Sequence, residues 1–178
     1  SLYSDKVEFH SESKTTNKHH IALQSQLLEV VNNPSEFKQT SSVESIHQIA
    51  SKLHKRSLVL FFTDMLEGVE DLSEIFSALH HLKFNKHEVI LFHLSENKTE
   101  FQLDFKNSPY KFIDIETKEE IKLNPEELKE EYKKRSDLFL KELKIRCLQH
   151  KIDLVDIDIN KGVEHILISY LLKRQKMF

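Results

Sequence analysis

An unbroken run of apolar residues at positions 58–62 is the clearest hydrophobic pattern in the chain. It ends abruptly at Thr63 and Asp64, and helical patterns precede and follow it. A continuous apolar run of this length between helices is typical of a strand that is buried on both faces of a parallel sheet. Ligands of open α/β sheets bind beyond the carboxyl ends of such strands, so Thr63 and Asp64 lie where this fold places its chemistry.

Further elements follow from the same kind of pattern. Two more apolar stretches, at 88–94 and 154–159, predict buried strands, and the alternating segment at 2–11 predicts a hairpin. Apolar residues at spacings of three and four predict helices at 18–31, 43–53, 72–82, 125–150 and 163–171. Strands that alternate with helices predict an α/β fold with a mostly parallel sheet and right-handed crossovers.

The segment at 95–123 breaks this alternation. It contains three short, half-polar stretches, which predict an inserted extended or hairpin segment, at 101–105, 110–115 and 119–123. A long helix should follow, because Asn124 is a favourable cap, Pro125 suits the first helical position and Glu127 the third.

Composition narrows the classes of function. The 178 residues suit a single domain, and a net charge of −3 from 26 basic and 29 acidic residues gives no field that would attract nucleic acid or an anionic membrane. The single cysteine, Cys147, indicates a reducing compartment, hence the cytoplasm, and its apolar helix position favours a small buried hydrophobe. No apolar run approaches the roughly 20 residues that span a bilayer, so we expect no membrane insertion. The sequence begins at Ser1 without an initiator methionine, so we expect it to be part of a longer protein.

Several kinds of site are disfavoured. Only two glycines, Gly68 and Gly162, are present, which excludes a Walker loop and a dinucleotide fingerprint. Eleven histidines are present, but none has a partner at the spacing of a helical zinc site. His93, inside a predicted strand, is more often a core or edge histidine than a metal ligand.

Asp156 and Asp158 form an Asp-x-Asp pattern near the end of a predicted strand, as in phosphoaspartyl enzymes. In that architecture the motif begins the domain and needs later strands to supply a lysine and further carboxylates. About twenty residues remain after it here. A helix-capping or solvated role is therefore the better interpretation of both carboxylates.

Thr63 and Asp64 form the more persuasive pair, because a carboxylate beside a hydroxyl suits Mg²⁺, which prefers oxygen ligands and keeps several waters. Thr40 lies just before a capping-box pattern at Ser41 and Glu44, which places another hydroxyl at the same edge of the sheet. The alternative is that Asp64 caps the following helix and Thr40 its own. Spacing alone leaves both interpretations open.

At these residues the chain resembles the von Willebrand factor A-like domain of the prokaryotic family called domain of unknown function fifty-eight. The stretches that carry the resemblance are 40–50, 55–65, 87–93 and 112–119, with Asn124-Pro125 and the long helix after them. The resemblance implies a three-layer Rossmann-like fold of the von Willebrand factor A type, with helices on both faces of the sheet. The chain would be one partial domain over 1–178 that is truncated at its N-terminal end, with 95–123 as a family-specific insertion.

The resemblance also implies a metal-ion-dependent adhesion site. Thr40 would be its second-loop threonine and Asp64 the aspartate after the fourth strand, with Thr63 beside it. The first strand of such a domain and its Asp-x-Ser-x-Ser loop are absent from this sequence. Asp71 and Ser73 match the beginning of that loop, but they fall in a helical pattern and the second serine is lacking. With two of the five protein ligands, the chain is expected to bind Mg²⁺ weakly or not at all, whereas a longer parent protein could bind it.

The missing strand has a consequence for the sheet. The hairpin at 2–11 would have to pair directly with 57–62, or that edge would have to meet another chain. We therefore expect a rearranged sheet or a homodimer through an exposed sheet edge.

Three functions compete. The first, which the resemblance favours, is a protein-interaction module without catalysis that works with a MoxR-type AAA ATPase. The second is a metal-dependent hydrolase or phosphoryl-transfer domain that uses Asp64. It would need a general base and a second carboxylate near Asp64, for which the sequence offers no clear candidate. The third is a structural core in which Asp64 is only a cap.

Overall fold

A computed structural model of the chain describes residues 1–3, 6–33, 42–53, 56–64, 72–113 and 118–175. The chain forms two compact units, one of Ser1–Lys52 with Ile113–Glu120 and the other of Leu53–Phe112 with Ile121–Phe178. The helices and strands, in chain order, are β1 (Leu2–Tyr3), β2 (Val7–Phe9), α1 (Asn17–Asn32), α2 (Ser42–Lys52), β3 (Leu58–Thr63), α3 (Leu72–Phe84), β4 (Glu88–Ser95), β5 (Tyr110–Ile113), β6 (Glu120–Leu123), α4 (Pro125–Gln149), β7 (Asp153–Asp158) and α5 (Val163–Gln175). The structure is mixed α/β, as predicted, whereas the von Willebrand factor A type remains a prediction.

The second unit is built around a three-stranded parallel sheet in the order β3-β4-β7. The middle strand is buried on both faces, since residues 89–93 are each at most 1% exposed, which confirms the prediction for this stretch. Neighbouring side chains along a strand point to opposite faces. Phe92 therefore meets Ile166 and Tyr170 of α5 on one face, and His93 meets Phe139 of α4 on the other. Helices thus cover both faces of the sheet.

Strand β3 differs from its prediction. Phe61 is buried, but Leu58, Leu60 and Phe62 are 46%, 48% and 51% exposed, so the expectation that both faces are buried is wrong. The reason is position in the sheet: of the strands that the structure describes, only β4 pairs with β3. An edge strand has fewer neighbours to cover its faces than the middle strand has.

Helices α3 and α4 complete the core of this unit. The apolar stripe of α3 is buried as predicted, and it consists of Leu72, Ile75, Phe76, Ala78, Leu79 and Leu82. Helix α4 begins as predicted: Pro125 is its first residue, and Oδ1 of Asn124 accepts a hydrogen bond from the Glu126 N–H at 3.3 Å. Its buried residues include Leu143 and Cys147.

The segment at 95–123 contains the predicted hairpin, because β5 and β6 pair with each other. The stretch 101–105 is not a strand: a π-helical turn spans Asn97–Phe101, and irregular backbone follows. The Glu96 and Glu100 side chains hold this turn, as the Glu96 N–H donates to Oε2 of Glu100 at 3.0 Å.

In the first unit, β1 and β2 form an antiparallel hairpin in which Leu2 faces Phe9. This hairpin belongs to a different sheet from β3, so the predicted pairing with 57–62 does not occur among the described residues. Helix α1 is capped by Thr16 at its start and by Asn33 at its end, and none of its residues is buried. In α2, Ser45, Ile46 and Ala50 are buried. Ser41 lies outside the described residues.

Candidate functional site

The three parallel strands end at one edge of the sheet, and we call the ends of β3, β4 and β7 the carboxyl edge. Thr63 is the last residue of β3, Ser95 the last of β4 and Asp158 the last of β7. Ligands of open parallel sheets bind at this edge because loops and helix ends leave a crevice there. The carboxyl edge is therefore where this fold would place a ligand site.

Polar residues of the three strands lie side by side in one row across the sheet, close to the carboxyl edge. Thr63 is the register partner of His93, and His93 is the register partner of Asp156. Nδ1 of His93 lies 3.0 Å from Oδ1 of Asp156. Because a carboxylate only accepts hydrogen bonds, Nδ1 carries the proton in this pair. This hydrogen bond is the main cause that lowers the pKa of Asp156.

The surroundings of His93 make it a structural residue. It is 1% exposed, and the rings of Phe101 and Phe139 lie 6.2 Å and 6.0 Å from its ring. The sequence-based interpretation of His93 as a core histidine is thereby confirmed. The side chain of Asp156 is 44% exposed, so the carboxylate end of this hydrogen-bonded pair lies at the surface.

Asp158 and Glu96 shape the loops at the carboxyl edge. Oδ1 of Asp158 accepts a hydrogen bond from the Asn160 N–H at 3.2 Å and so caps the short 3₁₀ turn of Ile159–Lys161. The capping role predicted for this carboxylate is confirmed, whereas Asp156 instead bonds to His93. Oε2 of Glu96 accepts from the Thr99 hydroxyl at 2.7 Å and Oε1 from Nδ2 of Asn160 at 3.2 Å. These two hydrogen bonds lower the pKa of Glu96.

A cavity of about 450 Å³ opens beside these residues, and we call it the carboxyl-edge cavity. Its wall combines the ends of β4 and β7 with the exposed side of α4 and the π-helical turn. It carries three lysines and three aspartates, and its lining residues are Ser95, Asn97, Phe101, Gln102, Lys129, Lys133, Asp137, Leu140, Asp156, Asp158, Lys161 and Ile166. A cavity of this size is in the range of ligand sites in proteins.

The charges around this cavity are only partly paired. Nζ of Lys161 lies 3.6 Å from Oδ2 of Asp158, and Nζ of Lys129 lies 3.7 Å from Oε2 of Glu126, which is outside the cavity. Within the part of the chain that the structure describes, no salt bridge involves Lys133 or Asp137. The cavity therefore presents an ammonium and a carboxylate, one helical turn apart on α4, for contact with a ligand.

A second, apolar cavity of about 170 Å³ lies on the other face of the sheet, where α5 meets β3 and β4. Phe62, Phe92 and Leu94 line it from the strands, and Ile166 and Leu167 line it from α5. The rings of Phe62 and Phe92 are stacked, with their centroids 4.6 Å apart. Its apolar lining contrasts with the charged lining of the carboxyl-edge cavity.

The residues predicted to hold a metal are only partly described. Thr63 and the exposed Asp64 lie at the carboxyl end of β3, whereas Thr40 lies outside the described residues. Leu72 is the first described residue of helix α3 and residues 65–71 lie outside the described residues, so the interpretation of Asp64 as a helix cap stays a prediction. Among the residues that the structure describes, no three His, Cys, Asp or Glu side chains are grouped as metal ligands.

Cys147 is not placed for chemistry. It is buried in α4, and burial raises the pKa of its thiol to about 12. A thiol with such a pKa is almost entirely protonated at neutral pH and is a poor nucleophile.

Sequence reasoning missed Lys133 and Asp137, because a charge on a helix normally indicates only a solvated face. It also missed the partner of Asp156, which lies 63 residues earlier in the chain. The usable signal was the position of Asp156 and Asp158 near the end of a buried strand, where parallel sheets place ligands.

No protein-family model, no curated protein and no solved structure matches this chain. None of the described helices is both long enough and apolar enough to cross a membrane.

Proposed function

We propose that the chain is a non-catalytic protein-interaction module that binds its partner at the carboxyl edge. The observation that carries this proposal is the carboxyl-edge cavity, which lies at the ends of β4 and β7 and is lined by side chains of both charges. A segment of a partner protein that bears both an acidic and a basic side chain would complement Lys133 and Asp137. Charge complementarity of this kind gives an interface its specificity.

The hydrogen bonds and burial of the potentially reactive side chains support a role without catalysis. The imidazole of His93 is buried and bonded to Asp156, the carboxylate of Asp158 caps a turn, and the thiol of Cys147 is buried in α4. Each of these groups has a structural role that accounts for its position. The alternative of a hydrolase or phosphoryl-transfer domain that uses Asp64 remains a prediction from the sequence.

The partner follows from the resemblance to the von Willebrand factor A-like family. It makes a MoxR-type AAA ATPase in the cytoplasm the first candidate, with Thr40 and Asp64, and Thr63 beside Asp64, as the remains of a divalent-metal site. The exposed edge of the sheet adds a homodimer to the proposed contacts, since β3 pairs with only one of the described strands. The ATPase and a second copy would use different surfaces.

The test is calorimetric titration of a purified MoxR-type AAA ATPase into the wild-type chain and two charge-reversal variants. Lys133→Glu changes the cavity, and Lys134→Glu is its control, because Lys134 is exposed on the same helix but does not line the cavity. We expect the Lys133→Glu variant to bind about tenfold more weakly, since reversal of a charge at an interface typically costs 1 kcal/mol or more. The Lys134→Glu variant should bind like the wild type.

Equal affinities for all three proteins would contradict the cavity as the binding surface. The lack of any saturable heat with the ATPase would contradict the proposed partner. Circular dichroism of each variant shows whether the fold has been kept.

A further inference from the structure

The backbone of β3 has an open side. The carbonyl of Ser57 accepts a hydrogen bond from the Glu88 N–H at 3.0 Å, so the backbone groups of Ser57 point towards β4. The direction alternates from one residue to the next along a strand. The backbone N–H and C=O groups of Leu58, Leu60 and Phe62 therefore point away from β4, and none of the described strands pairs with that side.

The side chains of the same three residues form an exposed apolar row on one face of the sheet, which we call the β3 row. Leu58, Leu60 and Phe62 are each about half exposed. The apolar cavity lined by Phe62 and Leu167 extends this surface to α5, where Leu167 is 44% exposed. Apolar surface next to unpaired backbone groups favours the addition of another strand.

The sequence of β3 offers no protection against such pairing. Edge strands are usually shielded by charged residues, proline or bulges. Residues 58–63 contain no charged residue and no proline, and the register with β4 is regular along the whole strand. The nearest charges are Arg56 before the strand and Asp64 after it, both exposed.

We infer that β3 pairs antiparallel with β3 of a second copy of this chain, about a two-fold axis at Leu60. In an antiparallel pair, residues that face each other point to the same side of the sheet. A two-fold axis perpendicular to the sheet places Leu60 opposite Leu60 of the second copy and Leu58 opposite Phe62 of the second copy. The two β3 rows then form one continuous apolar surface, and the outward backbone groups of each copy hydrogen bond to those of the other.

The apolar row selects this register. An axis at Leu60 pairs all three outward-facing residues, Leu58, Leu60 and Phe62, with those of the second copy, whereas a shifted axis pairs only two of them. The antiparallel arrangement also brings the end of β3 that follows Arg56 close to the end that precedes Asp64 of the second copy, and the symmetry repeats this at the other end. Arg56 lies in a turn before the strand, with a positive φ of 62°, and opposite charges thus flank both ends of the paired strands.

This inference rests on the proposed protein-interaction function and names the second copy as the partner at β3, away from the carboxyl-edge cavity. Sedimentation equilibrium tests it on the whole chain. The wild type should approach twice 21.1 kDa as its concentration rises. Leu60→Lys should stay monomeric, because a lysine on the edge strand opposes pairing. Its control, Leu148→Lys on the exposed side of α4, should dimerise like the wild type.

The antiparallel arrangement has its own test in a charge swap. Arg56→Asp and Asp64→Arg each bring like charges together at both ends of the paired strands, and each should weaken the dimer about tenfold. The double variant restores opposite charges and should recover most of the affinity. Leu60→Cys should form a disulfide-linked dimer on mild oxidation, since opposed Cα atoms in such a pair lie about 5.5 Å apart. Phe84→Cys, at an exposed site outside the strand, should not.

A mass of 21.1 kDa at all concentrations would overturn the inference, as would a dimer that Leu60→Lys leaves intact. Failure of the double variant to recover would overturn the antiparallel arrangement, and failure of Leu60→Cys to form the disulfide would overturn the register. Lys133→Glu should leave the dimer mass unchanged, so a failed ATPase titration and a failed dimer are separate results.

Discussion

Nδ1 of His93 lies 3.0 Å from Oδ1 of Asp156, in the row of the sheet where the middle strand β4 meets β7. The bond joins a fully buried ring to a carboxylate at the surface of the carboxyl-edge cavity. A buried imidazole without a partner would be costly, so Asp156 both satisfies His93 and is itself held in place by it. The position of one wall of the cavity therefore depends on a residue in the core.

The His93–Asp156 bond should make stability depend on pH. The pKa of Asp156 in the folded chain lies below its ordinary value of 3.8, so its contribution to stability is present above that pH and is lost as pH falls through the folded pKa. Asp156→Asn should lower the free energy of unfolding at pH 7 by about 1 kcal/mol, because the half-exposed side chain keeps a weaker, neutral acceptor. Urea unfolding measures this difference.

The difference between wild type and Asp156→Asn should be constant from about pH 7 to 5 and shrink below about pH 4. Asp104→Asn is the control, because Asp104 is exposed and its substitution should change the free energy of unfolding by less than about 0.5 kcal/mol. A difference that grows as the pH falls would contradict the assigned role of Asp156.

The sequence was sufficient to predict β4 but not the surroundings of β3. Both are short runs of apolar residues, yet one is buried on both faces and the other exposes Leu58, Leu60 and Phe62. Periodicity reports which side chains are apolar, whereas strand order in the sheet decides which of them are covered. Strand order depends on contacts between distant parts of the chain, so the pattern of apolar residues within one strand does not predict it.

Helix α1 also shows that a local pattern does not predict burial, since its apolar residues Leu23, Leu27, Val30 and Val31 form a helix with no buried residue.

The candidate site shows most clearly what a local pattern cannot predict. His93 and Asp156 meet only because β4 and β7 are neighbours, and Lys133 lines the cavity only because α4 lies beside the ends of these strands. The cap at Asn124 was predicted correctly because its hydrogen bond is local.

Phe92 should be among the most sensitive positions in the core. It is buried, stacks on Phe62 and meets Tyr170 of α5 edge to face with the centroids 5.9 Å apart. Phe92→Ala should lower the free energy of unfolding by about 4 kcal/mol through lost burial and the cavity left behind. Phe84→Ala provides the matched control, because Phe84 is 77% exposed and should change stability by less than about 0.5 kcal/mol. Similar effects of the two substitutions in denaturant unfolding would show that the sheet core is misassigned.

The start of α4 should depend on its cap. Oδ1 of Asn124 satisfies the Glu126 N–H, and Nδ2 of Asn124 donates to Oδ1 of Asn107 at 3.1 Å. Asn124→Ala should cost about 1 kcal/mol, whereas Asn124→Ser should cost much less because its hydroxyl can cap in the same way. Thermal unfolding of the two variants separates them. Equal losses would mean that the contact with Asn107, rather than the cap, stabilises this end of the helix.

Cys147 should be inert in the folded chain. With a thiol pKa of about 12, about one molecule in 10,000 carries the thiolate at pH 8, and burial blocks access as well. A colorimetric disulfide reagent should therefore label the native protein far more slowly than protein unfolded in guanidinium. Complete labelling of the native protein within minutes would show that α4 opens readily or that Cys147 is exposed.

Thr40 and Asp64, with Thr63 beside Asp64, are the residues predicted to hold Mg²⁺. Asp64 is exposed at the end of β3, and if it serves a metal site, Asp64→Ala should change the free energy of unfolding by less than about 0.5 kcal/mol, whereas the loss of a helix cap would cost about 1 kcal/mol. Mg²⁺ at millimolar concentration should leave the melting temperature of the chain unchanged, because two protein ligands hold this ion too weakly. Both experiments belong in the Leu60→Lys background, which removes any contribution of dimerisation to stability. A melting temperature that rises with Mg²⁺ in this background, but not after Asp64→Ala, would reveal a metal site completed by residues outside those described. It would also make metal-dependent binding of the ATPase the next experiment.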